Sequence, residues 1–123
     1  MQATDQTYQM NLLRALADDE ARKIIACAIS AGKSVADIVR DCSIPHTSAY
    51  RLVNELKSQG LLIVERVMIS KDGKKSLLYR SSVRSVLVKF EEGQINVEIL
   101  PNDNITERTY RLFSQASAYD EHP

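Results

Sequence analysis

The stretch Ser34–Leu62, SVADIVRDCSIPHTSAYRLVNELKSQGLL, decides how this chain is read. Ser34-x-x-Asp37 has the spacing of a capping box, in which each side chain satisfies a backbone N–H of the other at a helix start. It opens a short helix whose buried side is Val35, Ile38 and Val39. The polar run Asp41-Cys42-Ser43 breaks that helix after about two turns. Pro45 then suits the first turn of a new helix, because its missing N–H has no intrahelical partner there. Ala49, Leu52, Val53 and Leu56 form the inward stripe of this second helix, which runs from about Pro45 to Gln59 and stops at Gly60. Its opposite face carries His46, Thr47, Tyr50, Arg51, Asn54 and Lys57.

Upstream, Ala21, Ile24, Ile25, Ala28 and Ile29 repeat at helical spacing between Asp19 and Ala31, with Gly32 closing the helix. Asp18, Asp19 and Glu20 stand where negative charge favours the helix dipole. A first helix over Thr7–Ala17 presents Tyr8, Leu12 and Leu16. Downstream, Leu61–Ile69 and Lys75–Arg80 read as strands around a tight turn at Asp72-Gly73, since glycine supplies the positive φ such a turn requires. Ser85–Glu91 and Gln94–Leu100 repeat the pattern around Glu92-Gly93. There Val86, Val88, Phe90, Ile95, Val97 and Ile99 alternate at period two, and Pro101 ends the second strand. Asn104-x-x-Glu107 caps an expected last helix bearing Ile105, Leu112, Phe113 and Ala116, with a frayed tail over 118–123.

The predicted architecture is α+β: a winged helix-turn-helix with a three-helix core and a basic β-hairpin wing, followed by an additional C-terminal hairpin and helix. Its parts are an N-terminal helix over 1–17, a DNA-binding unit over 18–82, a hairpin plus helix over 83–117 and the tail. A helix of this diameter enters the major groove, where side chains of its first turns meet base edges. His46, Thr47, Ser48, Tyr50 and Arg51 occupy those turns, and Asn54 and Lys57 follow on the same helix. Arg51 has the fork geometry for guanine and Asn54 the amide for adenine. Lys71, Lys74 and Lys75 at the wing tip are expected on phosphate or in the minor groove.

The run from Ser34 to Leu62, most specifically Ser48-Ala49-Tyr50-Arg51 and Leu56 to Leu61, resembles the ArsR-like winged-helix transcriptional regulators, above all their archaeal members. The likeness covers roughly residues 10–82. It implies a homodimeric, sequence-specific regulator of transcription that binds double-stranded DNA through a recognition helix at Pro45–Gln59. Two departures qualify it. Metal-sensing members pair cysteines in the helix before the recognition helix, whereas only Cys42 stands there, so arsenic or zinc sensing is not carried over. The hairpin over 85–100 also replaces the helix that commonly follows the wing in bacterial members.

Composition sets the outer bounds. A chain of 123 residues has room for one core, with a radius of gyration of roughly 14 Å. The longest apolar run, Ile24–Ile29, is far short of the ~20 residues of a membrane span, and the first residues lack a signal-peptide pattern, so a cytoplasmic protein without membrane contact is expected. Sixteen basic and sixteen acidic residues cancel overall, yet residues 61–90 carry seven basic groups against two acidic, and residues 91–123 carry two against seven. The basic segment, not the total, points to a polyanion.

Cys42 and His46 are four apart, but with only Cys27 and His122 as further soft ligands they fall short of the three or four convergent donors of a zinc site. No metal and no cofactor is expected. No phosphate loop, nucleophile with a base, or paired carboxylates argue for an enzyme. Tyr8, Leu12 and Leu16 at one end and Ile105, Leu112 and Phe113 at the other are the expected homodimer interface, being more apolar than one small core needs. Two alternatives stand beside DNA binding. One is a winged helix used for protein contact in basal transcription or replication machinery. The other is a regulator holding a small-molecule effector between the second hairpin and the last helix.

Overall fold

The structure is a computed structural model that describes residues 2–102, with side chains from residue 6 onward. The expected helix from Asn104, with Ile105, Leu112 and Phe113, and the tail over 118–123 lie outside the described residues. Four helices come first: α1 (Gln2–Ala17), α2 (Asp19–Cys27), α3 (Val35–Cys42) and α4 (His46–Ser58). Two antiparallel hairpins follow, β1 (Leu62–Ile69) with β2 (Lys75–Ser81) and β3 (Val83–Glu91) with β4 (Gln94–Pro101), each a separate two-stranded sheet. The chain is therefore α+β.

Local chemistry accounts for most boundaries. Asp18 separates α1 from α2 by capping the latter, its carboxylate accepting from the Ala21 N–H at 2.8 Å. The capping box at α3 is complete: Ser34 Oγ accepts from the Asp37 N–H at 3.1 Å, and Asp37 Oδ2 accepts from the Ser34 N–H at 3.0 Å. The bond from the Ser34 N–H holds the Asp37 carboxyl below its ordinary pKa. Pro45 stands one position outside the expected helical turn, as the N-cap of α4, with extended ψ of 149°. Glu92 and Gly93 both take positive φ, 52° and 78°, the mark of the tight turn whose twist matches its strands.

The core draws on every helix: Leu12 and Ala15 from α1, Ala21, Ile24, Ile25 and Ala28 around α2, Ile38 and Cys42 from α3, and Ala49, Leu52, Val53 and Leu56 from α4. Leu61, Leu62, Tyr79 and Val83 close it from the strand side. Burying each large apolar side chain stabilises by roughly 1.5–3 kcal/mol, so α1 belongs to the core as fully as α2 does.

Three expectations are corrected here. Leu12, expected at a dimer interface, is completely buried within the protomer, and Tyr8 and Leu16 pack against the same core. Tyr8 Oη also lies 3.0 Å from Ser82 Oγ. Leu12 is thus taken up by its own chain, while Tyr8 and Leu16 stay partly exposed. Second, α2 ends at Cys27, not at Gly32. Gly32 sits where the chain passes β2, and a Cβ there would come 2.7 Å from Glu65 Oε1 and 3.2 Å from Leu78 Cβ. Its neighbour Lys33 pairs with Tyr79 through two backbone hydrogen bonds of 2.8 and 2.9 Å, stitching the α2–α3 connection to the first hairpin. Third, β4 runs one residue past its expected Leu100, with Pro101 pairing with Val83 as the last residue of the strand. Asn102 then turns inward.

The roots of both hairpins converge on one backbone carbonyl. Ile29 O accepts from Arg80 Nε at 2.9 Å and from Asn102 Nδ2 at 2.9 Å. Asn102 Nδ2 also donates to Ser81 O at 2.9 Å, and Arg80 Nη1 meets Glu65 Oε2 at 2.5 Å, with both side chains nine-tenths buried. Among the described residues no helix is long and apolar enough to cross a membrane.

Candidate nucleic-acid interface

Helix α4 buries Ala49, Leu52, Val53 and Leu56 and turns the other side to solvent. At 100° per residue, His46, Lys57, Tyr50, Asn54, Thr47 and Arg51 fall in that order across about 140° of the helix surface. All six are exposed. Ser48 departs from the expectation: it lies some 100° round from Thr47, toward the buried side, and is only half-exposed. Residues in one helical turn do not all face one way, and Ser48 belongs to the margin of this surface.

Tyr50 is 56% exposed. Its ring stacks on His46 one turn earlier, with centroids 6.0 Å apart and planes inclined by 15°, so the two present a common flat edge. On one side Tyr50 looks into a groove of about 260 Å³ against Ser34 to Ala36 at the start of α3 and Lys75 to Leu77 on β2. On the other side Arg51 opens toward α1, lining a cleft of about 270 Å³ with Arg14, Asp18 and Glu55. Arg51 Nη1 stands 3.7 Å from Glu55 Oε1, an exposed i,i+4 pair of the kind that contributes little, so the guanidinium is held loosely.

The first hairpin carries Arg66, Lys71, Lys74 and Lys75, all exposed, at its outer half and turn. Its single nearby acid, Asp72, accepts a hydrogen bond from the Ser70 hydroxyl, which lowers its pKa and keeps it ionised. Arg80 is not part of this surface. Its guanidinium is buried with Glu65, so one of the seven basic groups of residues 61–90 never reaches solvent. Arg84 and Lys89 lie on β3, away from the turn. The exposed charge at the tip is thus four cations against one carboxylate.

Around α3, cations are already paired: Lys33 Nζ with Asp41 at 2.8 Å, and Arg40 with Asp37 and Asp41 at 3.1 Å each. These contacts lower the Asp41 pKa and raise that of Lys33. The α3 surface is accordingly near neutral, whereas Arg66, Lys71, Lys74 and Lys75 on the first hairpin are exposed and form no ion pair among the described residues.

The soft ligands do not assemble. Cys42 is buried, its thiol donating to Lys23 O at 3.6 Å and touching Cys27 Sγ at 3.7 Å, while His46 is exposed and engaged with Tyr50. Burial, reinforced by the Cys42 thiol, pushes Cys27 up to about 12 and suppresses the thiolate that a metal or an oxidant would require. Among the described residues no group of three or more His, Cys, Asp or Glu is placed to hold a metal; His122 lies outside them. On the second hairpin a shallow depression of about 230 Å³ runs over Ser85 to Leu87 and Glu98 to Leu100.

The groove between Tyr50, the start of α3 and β2 was not anticipated from sequence. The Ser34-x-x-Asp37 box marks where α3 begins, but that its first turn faces β2 follows only from the Lys33–Tyr79 bridge, which no local pattern signals. Comparison with known protein families and with the curated proteins finds no match.

Proposed function

We propose that this chain is a winged helix-turn-helix regulator of transcription that binds double-stranded DNA. α4 acts as the recognition helix in the major groove, and the β1–β2 hairpin acts as a wing on phosphate or the minor groove. The observation that carries the reading is the adjacency of two surfaces. One is an outward helix face of hydrogen-bonding side chains with a single acid, Glu55. The other is a hairpin tip whose cations lack internal partners. Thr47, Asn54 and Arg51 supply the groups that read base edges, with Ser48 on the margin; His46 and Tyr50 supply a flat edge; Lys57, Lys71, Lys74 and Lys75 supply phosphate contacts.

The proposal includes a homodimer. A two-fold pair would set two recognition helices about one DNA turn, ~34 Å, apart and favour a near-palindromic site. Its contact surface excludes Leu12. A cytoplasmic setting fits this reading.

The test is affinity for a mixed duplex pool across a salt series. Wild type should bind with a steep negative slope of log affinity on log salt. The Lys71/Lys74/Lys75→Ala variant should flatten that slope by about 2–3, each lost phosphate contact removing ~0.9. Arg51→Ala should keep the slope nearly unchanged and lose preference among sequences. The competing reading, a winged helix that contacts protein in transcription or replication machinery, draws on Val67, Met68 and Ile69, exposed on β1 beside the cations. Absence of DNA binding at low salt would transfer the function to it.

A further inference from the structure

The cleft of about 270 Å³ between α1 and α4, the helices that flank α2, enters the proposed DNA contacts only through Arg51. Its floor is apolar, formed by the buried Ala15, Leu52 and Leu56. Each wall brings one cation and one carboxylate: Arg14 and Asp18 at the end of α1, Arg51 and Glu55 on α4. All four are exposed, so the cleft is open to a ligand from solvent. A small concavity with an apolar floor and a few polar groups around it is the usual form of a ligand pocket.

These charges are only weakly committed within the chain. Arg14 Nη1 stands 3.5 Å from Asn11 Oδ1, at the limit of a hydrogen bond. Arg51 Nη1 stands 3.7 Å from Glu55 Oε1, an exposed pair that contributes little. Asp18 spends Oδ2 on the Ala21 N–H, and its Oδ1 remains to accept a further donor.

The balance of charge selects the ligand. A simple anion on the two guanidiniums also meets two carboxylates, and a simple cation on the carboxylates also meets two guanidiniums, so repulsion offsets attraction in both cases. A zwitterion satisfies both signs. The guanidinium fork takes a planar carboxylate through parallel bonds, and an ammonium supplies three donors for the acids. An apolar side chain then covers Leu52 and Leu56. Size agrees: at the roughly 30 Å³ that a water occupies in the liquid, the cleft holds about nine non-hydrogen atoms, as many as leucine has.

We infer that the α1–α4 cleft binds a free apolar α-amino acid, with Arg14 and Arg51 on its carboxylate and Asp18 and Glu55 on its ammonium. Arg51 is also the side chain assigned above to base edges. With the amino acid bound, its guanidinium is held toward α1, so ligand and duplex weaken each other by the same factor. That consequence, unlike the site, rests on the DNA-binding reading.

NMR titration of the full-length chain with L-leucine, L-isoleucine, L-methionine and L-phenylalanine tests the site without DNA. At least one should give saturable shifts confined to the cleft, with a Kd on the order of 0.1–1 mM. The matching acid and amine, isocaproate and isoamylamine in the case of leucine, each keep one charge and should bind about tenfold more weakly. Arg14→Gln and Asp18→Asn should each weaken binding about tenfold. The first should leave duplex affinity without amino acid at its wild-type value, and the second keeps a capping side chain on α2. Saturating amino acid should lower the affinity of wild type for its preferred duplex about tenfold. The absence of saturable shifts up to about 10 mM overturns the site. So does equal binding of the matching acid, which would make it a plain anion site, or wild-type binding by Arg14→Gln. Saturable binding that leaves duplex affinity unchanged overturns the coupling, and saturable binding by a chain that takes up no duplex upholds the site while the DNA reading falls.

Discussion

The two hairpins of this chain are built alike and finished differently. Each pairs two antiparallel strands of seven to nine residues, each has one register shift, at Val64/Arg66 and Val83/Ser85, and each turns through a glycine with positive φ. The first is tied to the helices by the Lys33–Tyr79 bridge and the buried Arg80–Glu65 pair, and spends its outer half on cations. Among the described residues the second is tied at its root, through Val83, Val86, Ile99 and Asn102, and spends its outer half on an apolar ladder. Backbone architecture therefore says little about what a hairpin meets. The side chains past the anchored root decide it, one set suiting a polyanion and the other an apolar partner.

The contrast is sharpest at the anchors. Glu65→Ala strands the Arg80 guanidinium in the interior and should lower unfolding free energy by about 3–5 kcal/mol in urea titration. The exposed Glu98→Ala on the second hairpin should stay within about 0.5 kcal/mol. Comparable losses for both would erase the distinction drawn between a buried and a solvated carboxylate.

At the other root, Asn102→Ala removes two donors from buried carbonyls and should cost about 2–3 kcal/mol. Exchange should rise in β3–β4 well before β1–β2; equal loosening of both hairpins would show that they form one cooperative unit.

A smaller effect separates the outer halves. Replacing Arg84 and Lys89 by Ala should leave the salt slope of DNA affinity within about 0.5 of wild type. A drop as large as that from the three tip lysines would place DNA along both hairpins and break the comparison.

The smallest effect lies outside the hairpins and serves as a baseline. The folded pKa of Asp37 is below its ordinary 3.8, so its stabilisation is complete above pH 3.8 and disappears as pH falls through the folded value. Asp37→Asn should cost about 1 kcal/mol at neutral pH, and the acid-induced loss below pH 3.8 should be shallower in the variant. A wild-type and variant pair of parallel acid titration curves would exclude Asp37 from the linkage.

What was legible in the sequence was what local chemistry determines. The capping box of α3 is satisfied atom for atom, α4 lies within a residue of its expected limits because Pro45 and Gly60 bracket it, and both turns fall on their glycines. Six of the seven α4 residues expected on DNA face solvent, as do the three hairpin lysines. What was not legible depends on partners distant in sequence. The charge count of residues 61–90 includes Arg80, whose burial depends on Glu65, 15 residues away. Leu12 read as surplus because the size of the core it completes depends on four helices at once. Gly32 read as a helix stop, whereas a carboxylate and a strand crowding its Cα leave no room for a side chain.

The shared carbonyl of Ile29 also bears on the order in which the chain assembles. One of its two acceptor positions is filled from residue 80 and the other from residue 102, separations of 51 and 73 residues. During synthesis from the N-terminus, the helices and first hairpin have all their mutual contacts once Ser82 has emerged, yet Ile29 stays half-satisfied until Asn102 arrives. The anchor of the second hairpin thus follows that of the first, and at 73 residues it closes the longer loop. A nascent chain halted between the two residues would keep its helices while leaving that carbonyl open to water.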